Sequence, residues 1–149
     1  MPQLSMHSPV GDLTISEDGG AIVALDWGWG AVQTKTPLLV KAKDQLERYF
    51  DGDKSKFALP LIPHGTPFQQ KVWAAMRKIP YGHTASYGDL AKSLGSAARA
   101  IGRSCGQNPL PILIPCHRVV GADGRLGGYS GGDGLETKTA LLRLEGALL

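Results

Sequence analysis

The spacing of apolar positions changes several times along the chain, and each change predicts an element. Leu13-Thr14-Ile15-Ser16 and Ala21-Ile22-Val23-Ala24-Leu25 are short β-prone runs, and Glu17-Asp18-Gly19-Gly20 between them is a hairpin turn signal. Leu38, Ala42, Leu46 and Tyr49 then recur at helical spacing behind Pro37, a natural first-turn residue. A helix is therefore predicted over about 37–50, ended by Asp51-Gly52-Asp53. Residues 53–65 mix Pro, Gly and charge with no sustained period and read as a linker. The division expected from this is a small α/β domain over 1–60, antiparallel sheet plus helix, followed by a mainly α domain over 61–149.

The second part is punctuated by helix signals. Thr66-Pro67-Phe68-Gln69 is a capping box with Pro at the first helical position, and Phe68, Val72, Met76 and Ile79 mark one apolar face. Pro80-Tyr81-Gly82 breaks that helix. Ser86 is expected to cap a short helix carrying Leu90, Ala91 and Leu94, with Gly95 as its stop. Ser96 is expected to cap a third, over 97–106. Short helix, Gly turn, short helix is a helix-turn-helix outline, although plain αα packing has the same outline. Arg99 and Arg103 on the second helix favour a DNA reading. Asn108-Pro109-Leu110-Pro111 cannot be helix, Ile112-Leu113-Ile114 reads as a buried strand-like run, and a last helix is expected over about 135–145.

Composition narrows the classes. With 149 residues, 42% apolar and 19% charged, the chain can bury a real core and is not disordered. Cys105 and Cys116, its two cysteines, cannot build a disulfide framework, so a reducing, cytosolic setting is expected. A zinc site would have to lean on four scattered histidines. No apolar run approaches the ~18–20 residues of a membrane span, and Met1-Pro2-Gln3-Leu4-Ser5 has no secretory-signal character. Residues 1–65 hold six Lys/Arg and eight Asp/Glu, a net of −2, whereas 66–149 hold ten and five, a net of +5. The basic second half suits a polyanion partner, and chance variation on a small surface gives the same imbalance.

The residues able to do chemistry cluster late in the chain. Pro115-Cys116-His117-Arg118-Val119 places a cysteine beside His and Arg, a setting expected to lower the thiol pKa and yield a thiolate nucleophile. An inert core cysteine fits the same residues. In extended chain His117 points away from Cys116, so a bridging water is the simpler link, and Glu145 is either its orienting partner or a solvated helix carboxylate. Gly127-Gly128-Tyr129-Ser130-Gly131-Gly132 offers close backbone approach and a stacking wall, or is a surface loop. It lacks the Lys-Ser/Thr ending of a phosphate-binding P-loop.

Asn108-Pro109, Pro115-Cys116-His117-Arg118-Val119 and Tyr129-Ser130-Gly131-Gly132, with Ser86-Tyr87 and Ala97-Ala98-Arg99-Ala100-Ile101-Gly102, resemble the O6-alkylguanine-DNA alkyltransferases (methylated-DNA–protein-cysteine methyltransferases). The resemblance runs from about Thr66 to Gly146. It implies a ribonuclease-H-like α/β N-terminal domain and a C-terminal domain with a winged-helix-like helix-turn-helix. It implies direct-reversal repair: O6-alkylguanine is flipped out of duplex DNA and its alkyl group moves once, irreversibly, to Cys116. Weaker action on O4-alkylthymine is a further expectation.

The resemblance also assigns roles. Tyr87 would donate to ring N3 and the Ser130 N–H to O6, stabilising the leaving guanine. The Cys116 and Val119 carbonyls would accept from the exocyclic amine. Cys105, Pro111 and Tyr129 would complete the pocket, and Asn108 would tie the active-site turn together. His117 would act through water as base, oriented by Glu145. Arg99 would fill the space left by the flipped base. Thr66, Gly88 and Ser96, at helix N-termini, together with Arg103 and Ala122, would contact double-stranded DNA, mainly in the minor groove and without sequence preference. No cofactor or metal is expected. The implied protein is a cytoplasmic monomer, nucleoid-associated in a prokaryote, with cooperative DNA binding an open question. A DNA-binding regulator with an inert cysteine and a turning-over cysteine hydrolase are the rival functions.

Overall fold

The computed structural model describes residues 1–129 and 131–148. The chain divides into two compact units, Met1–His64 and Gly65–Leu149. The division falls four residues later than the expected 60/61. Ile62 N–H donates to Ile22 O at 3.0 Å, and Leu61 bridges Ile22 in parallel, so residues 61–62 belong to the first unit's sheet edge.

In the first unit, β1 (Gln3–Met6), β2 (Leu13–Asp18) and β3 (Ala21–Trp27) form an antiparallel sheet in that order. The β2–β3 turn places Gly19 and Gly20 at φ 57° and 81°, the left-handed pair that a tight two-residue hairpin requires. Strand alternation sends Leu4, Met6, Leu13, Ile15 and Leu25 to one face. Helix α1 (Pro37–Phe50) packs on the sheet with Leu39, Ala42, Leu46 and Tyr49 buried. The buried position at its start is Leu39; Leu38, the expected one, is half-buried. Thr36 caps α1 by accepting from Leu39 N–H. Strand β1 carried no clear signal in the sequence, because its alternation covers only four residues.

The second unit contains α2 (Pro67–Met76), β4 (Ala85–Ser86), α3 (Tyr87–Leu94), α4 (Ala98–Gly106), β5 (Val119–Val120) and α5 (Leu135–Leu144). Two of the three predicted capping residues, Thr66 and Ser86, close reciprocal capping boxes with Gln69 and Asp89. Helix α3 stops at Gly95 in the left-handed conformation, φ 63°. Ser96 is not a cap, because its N–H donates to Ala91 O at 2.8 Å and finishes α3, and the N-cap of α4 is Ala97, with no side-chain bond. Strands β4 and β5 pair in parallel, Ala85 with Val119 and Ser86 with Val120. Trp73 of α2 donates from Nε1 to Ser104 O of α4 at 2.9 Å, joining the two helices through the core.

Candidate active site

Residues 108–120 form the centre of the second unit. The expected strand at 112–114 is instead a tight buried turn: Ile114 N–H donates to Leu110 O and Leu113 N–H to Pro111 O, with Ile112 at φ 72°. Two prolines and a short span leave no partner strand for an extended run. Asn108 pins the turn at both ends, its Nδ2 donating to Ile114 O and its Oδ1 accepting from Leu110 N–H, each at 2.9 Å. Pro111 lies buried inside this turn, bridged to Ile114.

Cys116–Arg118 is a single 3₁₀ turn rather than extended chain. Even so, no hydrogen bond joins the His117 ring to the sulfur among the described residues. His117 Nε2 lies 2.8 Å from Glu145 Oε2, both side chains fully buried, and His117 Nδ1 is buried with no hydrogen-bond partner among the described residues. Helix α5 ends at Leu144, and Glu145 follows as its C-cap, buried rather than solvated. Arg118 does not face the sulfur. It forks onto Glu145, Nε to Oε1 at 2.8 Å and NH2 to Oε2 at 2.9 Å, and gives NH1 to Ile79 O at 2.7 Å.

The cation beside the sulfur is Lys138, which sequence reasoning missed. Lys138 is buried on α5, and its Nζ donates to Val119 O at 2.7 Å, Gly128 O at 3.2 Å and Tyr87 Oη at 3.4 Å. Burial lowers its pKa, and Cys116 and Cys105 oppose that fall. A signal existed in the sequence: Lys138 lies on the same stripe as Leu141, Leu142 and Glu145, where an apolar residue is the ordinary occupant.

Cys116 opens on a cavity of about 620 Å³, within the roughly 300–1,000 Å³ typical of small-molecule pockets. Tyr87 of α3 and Ala98, Arg99, Gly102 and Cys105 of α4 form one wall, and Gly128 and Tyr129 form another. The sequence anticipated a thiol pKa lowered by its neighbours, and the structure reverses the direction. Burial dominates and raises it, against the Asn108 side chain, Lys138 and the backbone N–H groups of Cys116 and His117. Cys116 therefore rests as a thiol, and a base must take its proton for it to react. His117 is held neutral by burial, which outweighs Glu145. Burial pushes the Tyr87 hydroxyl up to about 12, so it stays protonated and able to donate. Burial likewise pushes the Cys105 thiol up to about 12, and Cys105 donates to Met76 Sδ at 3.4 Å.

The remaining expected residues are distributed as follows. Val119 is buried, its carbonyl already accepting from Lys138, while Cys116 O accepts from Val119 N–H; neither Val119 nor Pro111, both expected in the pocket, is among the described residues lining the cavity. Each carbonyl keeps one lone pair for a further donor. Arg99 is exposed on the first turn of α4 and reaches the cavity; Arg103 is exposed on the same helix. Thr66 is exposed at the start of α2, and Gly88 is the second residue of α3 rather than its N-terminal boundary. Ala122 is exposed in the turn closed by Gly121 N–H to Arg125 O at 2.7 Å. Ser130 lies outside the described residues.

A thiol at the base of a cavity, with a neutral imidazole nearby and a protonated phenol on the wall, is suited to accept a group at sulfur while the departing fragment receives a hydrogen bond. Two family models match the chain. The 6-O-methylguanine DNA methyltransferase, ribonuclease-like domain, covers residues 4–63, and the 6-O-methylguanine DNA methyltransferase, DNA binding domain, covers 67–147. The chain is 44% identical to the constitutive methylated-DNA–protein-cysteine methyltransferase of Bacillus subtilis, over 93% of this chain and 92% of that protein. It is 39% identical to the methylated-DNA–protein-cysteine methyltransferase of Methanosarcina acetivorans, over 95% and 96%. The crystal structure of Mycobacterium tuberculosis OGT in complex with DNA superposes with a TM-score of 0.88 at 41% identity, covering 99% of this chain and 94% of that one.

Proposed function

The chain belongs to the 6-O-methylguanine DNA methyltransferase family, and from that premise we propose that it repairs O6-alkylguanine in double-stranded DNA by moving the alkyl group once, irreversibly, onto Cys116. The observation that carries this reading is the Cys116 sulfur opening on a cavity of about 620 Å³ beside Tyr87 and the His117–Glu145 pair.

The reacting base must leave the stack to reach the sulfur, and a pocket walled by Tyr129 and small residues of α4 suits a flipped purine. His117 Nδ1 takes the Cys116 proton through a water molecule. The sulfur electron pair forms the S–C bond as the C–O6 bond breaks, and the electrons of that bond stay on guanine. Tyr87 donates its hydroxyl hydrogen to ring N3. Its oxygen accepts from Lys138, which leaves that hydrogen directed elsewhere and polarises it for donation. The Cys116 and Val119 carbonyls accept from the guanine amine and select against adenine. The product is a thioether with no easy hydrolytic exit, so each molecule reacts once.

Arg99, exposed at the cavity mouth on the first turn of α4, fills the gap left by the base. Helix α4, with Arg103, lies along the minor groove, and the Thr66 end of α2 and the Ala122 turn meet phosphates. Such contacts are sequence-independent and weaken with salt. The protein acts as a monomer in the cytoplasm and takes O4-alkylthymine more slowly.

Intact mass before and after exposure to O6-methylguanine duplex tests the reading. One CH₂ is gained, once, on the peptide holding Cys116, and Cys116→Ala gains nothing while still binding the duplex. No gain leaves a DNA-binding regulator. Repeated turnover with a free cysteine leaves a hydrolase. Either result overturns the proposal.

A further inference from the structure

The contact between His117 Nε2 and Glu145 Oε2 at 2.8 Å can be made in two ways. A carboxylate accepts from Nε2–H and leaves Nδ1 with a bare lone pair. A carboxylic acid instead donates to a bare Nε2 and places the imidazole proton on Nδ1. Only the first arrangement can take a proton at Nδ1, the buried nitrogen without a hydrogen-bond partner among the described residues.

Arg118 decides between them. Its Nε and NH2 donate to both Glu145 oxygens, Oε1 at 2.8 Å and Oε2 at 2.9 Å, on a side chain with no solvent exposure. A guanidinium forked onto both oxygens of a buried carboxyl favours the ionised form, because an acidic proton there would leave the Arg118 charge uncompensated in the interior. Arg118 is itself held on three sides. Its NH1 donates to Ile79 O beyond α2 at 2.7 Å, and its guanidinium lies 5.8 Å from the Tyr81 ring centroid. Tyr81 in turn donates to Leu144 O at 3.2 Å, beside Glu145. We infer that Arg118 is a positioning residue that fixes His117 in its Nε2–H tautomer by holding Glu145 as the carboxylate.

The other ionisable groups facing this cluster do not substitute for it. Lys138, from α5, gives its hydrogen bonds to Val119 O, Gly128 O and Tyr87. Cys116 rests as a thiol on the same turn. The inference rests on the reading of Cys116 as acceptor and His117 as its base.

Two-bond ¹H–¹⁵N correlation spectra of His117 test it, together with the pH profile of transfer. In the native chain Nε2 carries the proton and Nδ1 is bare across pH 6–8. Arg118→Met brings in the Nδ1–H form and lowers transfer at pH 7 by roughly tenfold or more, the scale of a weakened general base. Its acidic limb moves to higher pH, because the carboxyl now titrates, while duplex binding is unchanged. Arg118→Lys keeps the charge and restores most of the Nε2–H form. A native His117 protonated at Nδ1 overturns the inference, as does an Arg118→Met protein that keeps Nε2–H and the native pH profile. If Arg118→Met does not fold, the native spectrum and Arg118→Lys decide. Failure of the underlying reading is distinguishable, because it shows as no CH₂ gain on native Cys116 whatever the tautomer.

Discussion

Ser5, Thr14 and Ser16 in the N-terminal unit and His117, Arg118, Lys138 and Glu145 in the C-terminal unit are all buried, yet the first set is neutral and the second largely charged. The hydroxyls of Ser5 and Thr14 bond each other at 2.8 Å and both accept from Gly30 N–H at 3.0 Å. Gln33 adds Nε2 to Ser5 Oγ at 2.8 Å, and Thr14 donates to Gly28 O at 2.8 Å. These bonds fasten residues 28–33 over the face of the sheet opposite α1, a task that needs only satisfied polarity. Removing ions from water costs several kcal/mol each, so the C-terminal set lowers stability relative to apolar residues of the same size. What it provides is fixed charge and fixed protons around a sulfur. The difference teaches that buried charge, which only the second unit holds among the described residues, separates the two units more than buried polarity as such.

Replacements in the two units should therefore change different quantities. Tyr87→Phe should slow transfer about 10²-fold with little change in the unfolding midpoint, the effect of removing one positioned donor. Single-turnover kinetics on a methylated duplex check this. Lys138→Met should slow transfer roughly tenfold, equivalent to about 1.4 kcal/mol, because Tyr87 loses the donor that turns its hydrogen toward substrate.

Stability should depend on pH through the C-terminal unit. His117 is held below its unfolded value of about 6.5, so its contribution is intact above that pH and is lost as pH falls toward the folded value. The slope should not exceed about 1.4 kcal/mol per pH unit. Cys116 is held above its unfolded value of about 8.5, so its contribution is present below that pH and is lost on the alkaline side. Urea midpoints from pH 5 to 10 should show both limbs, and His117→Asn should remove the acidic one. Ser5→Ala should cost about 1 kcal/mol of stability and leave the transfer rate of folded protein unchanged. A slower transfer in Ser5→Ala would erase the contrast between the units.

The elements legible in the sequence were those whose signals are local. Pro37 and the helical period set α1 at Pro37–Phe50, and Thr66, Ser86 and Gly95 marked helix ends where the structure has them. Ser96 misled because the same residue type serves to close α3 through its backbone. Ile112-Leu113-Ile114 misled because three apolar residues read alike as strand or buried turn, and only Asn108 and the prolines distinguish them. Cys116, His117 and Glu145 were legible as candidates from their residue types, and Tyr87 only through a resemblance. Lys138 was not, since its partners at positions 87, 119 and 128 are distant in sequence. The direction of the Cys116 shift was misjudged for a related reason: neighbouring charges are visible in a sequence, and the depth of burial is not.

Ile112 remains the most unusual backbone in the chain. Its φ of 72° is the one left-handed value among described residues other than glycine, and a β-branched side chain there costs on the order of 1–3 kcal/mol. Glycine would relieve the backbone dihedral strain of this loop but would vacate the space of a side chain only 1% exposed, and deleting a buried isoleucine costs roughly 2–5 kcal/mol. Backbone ease and packing thus make opposite demands at this position. The unit carries a permanent local tension four residues before Cys116, and the packing of Ile112 together with the two Asn108 bonds holds the segment in shape against it.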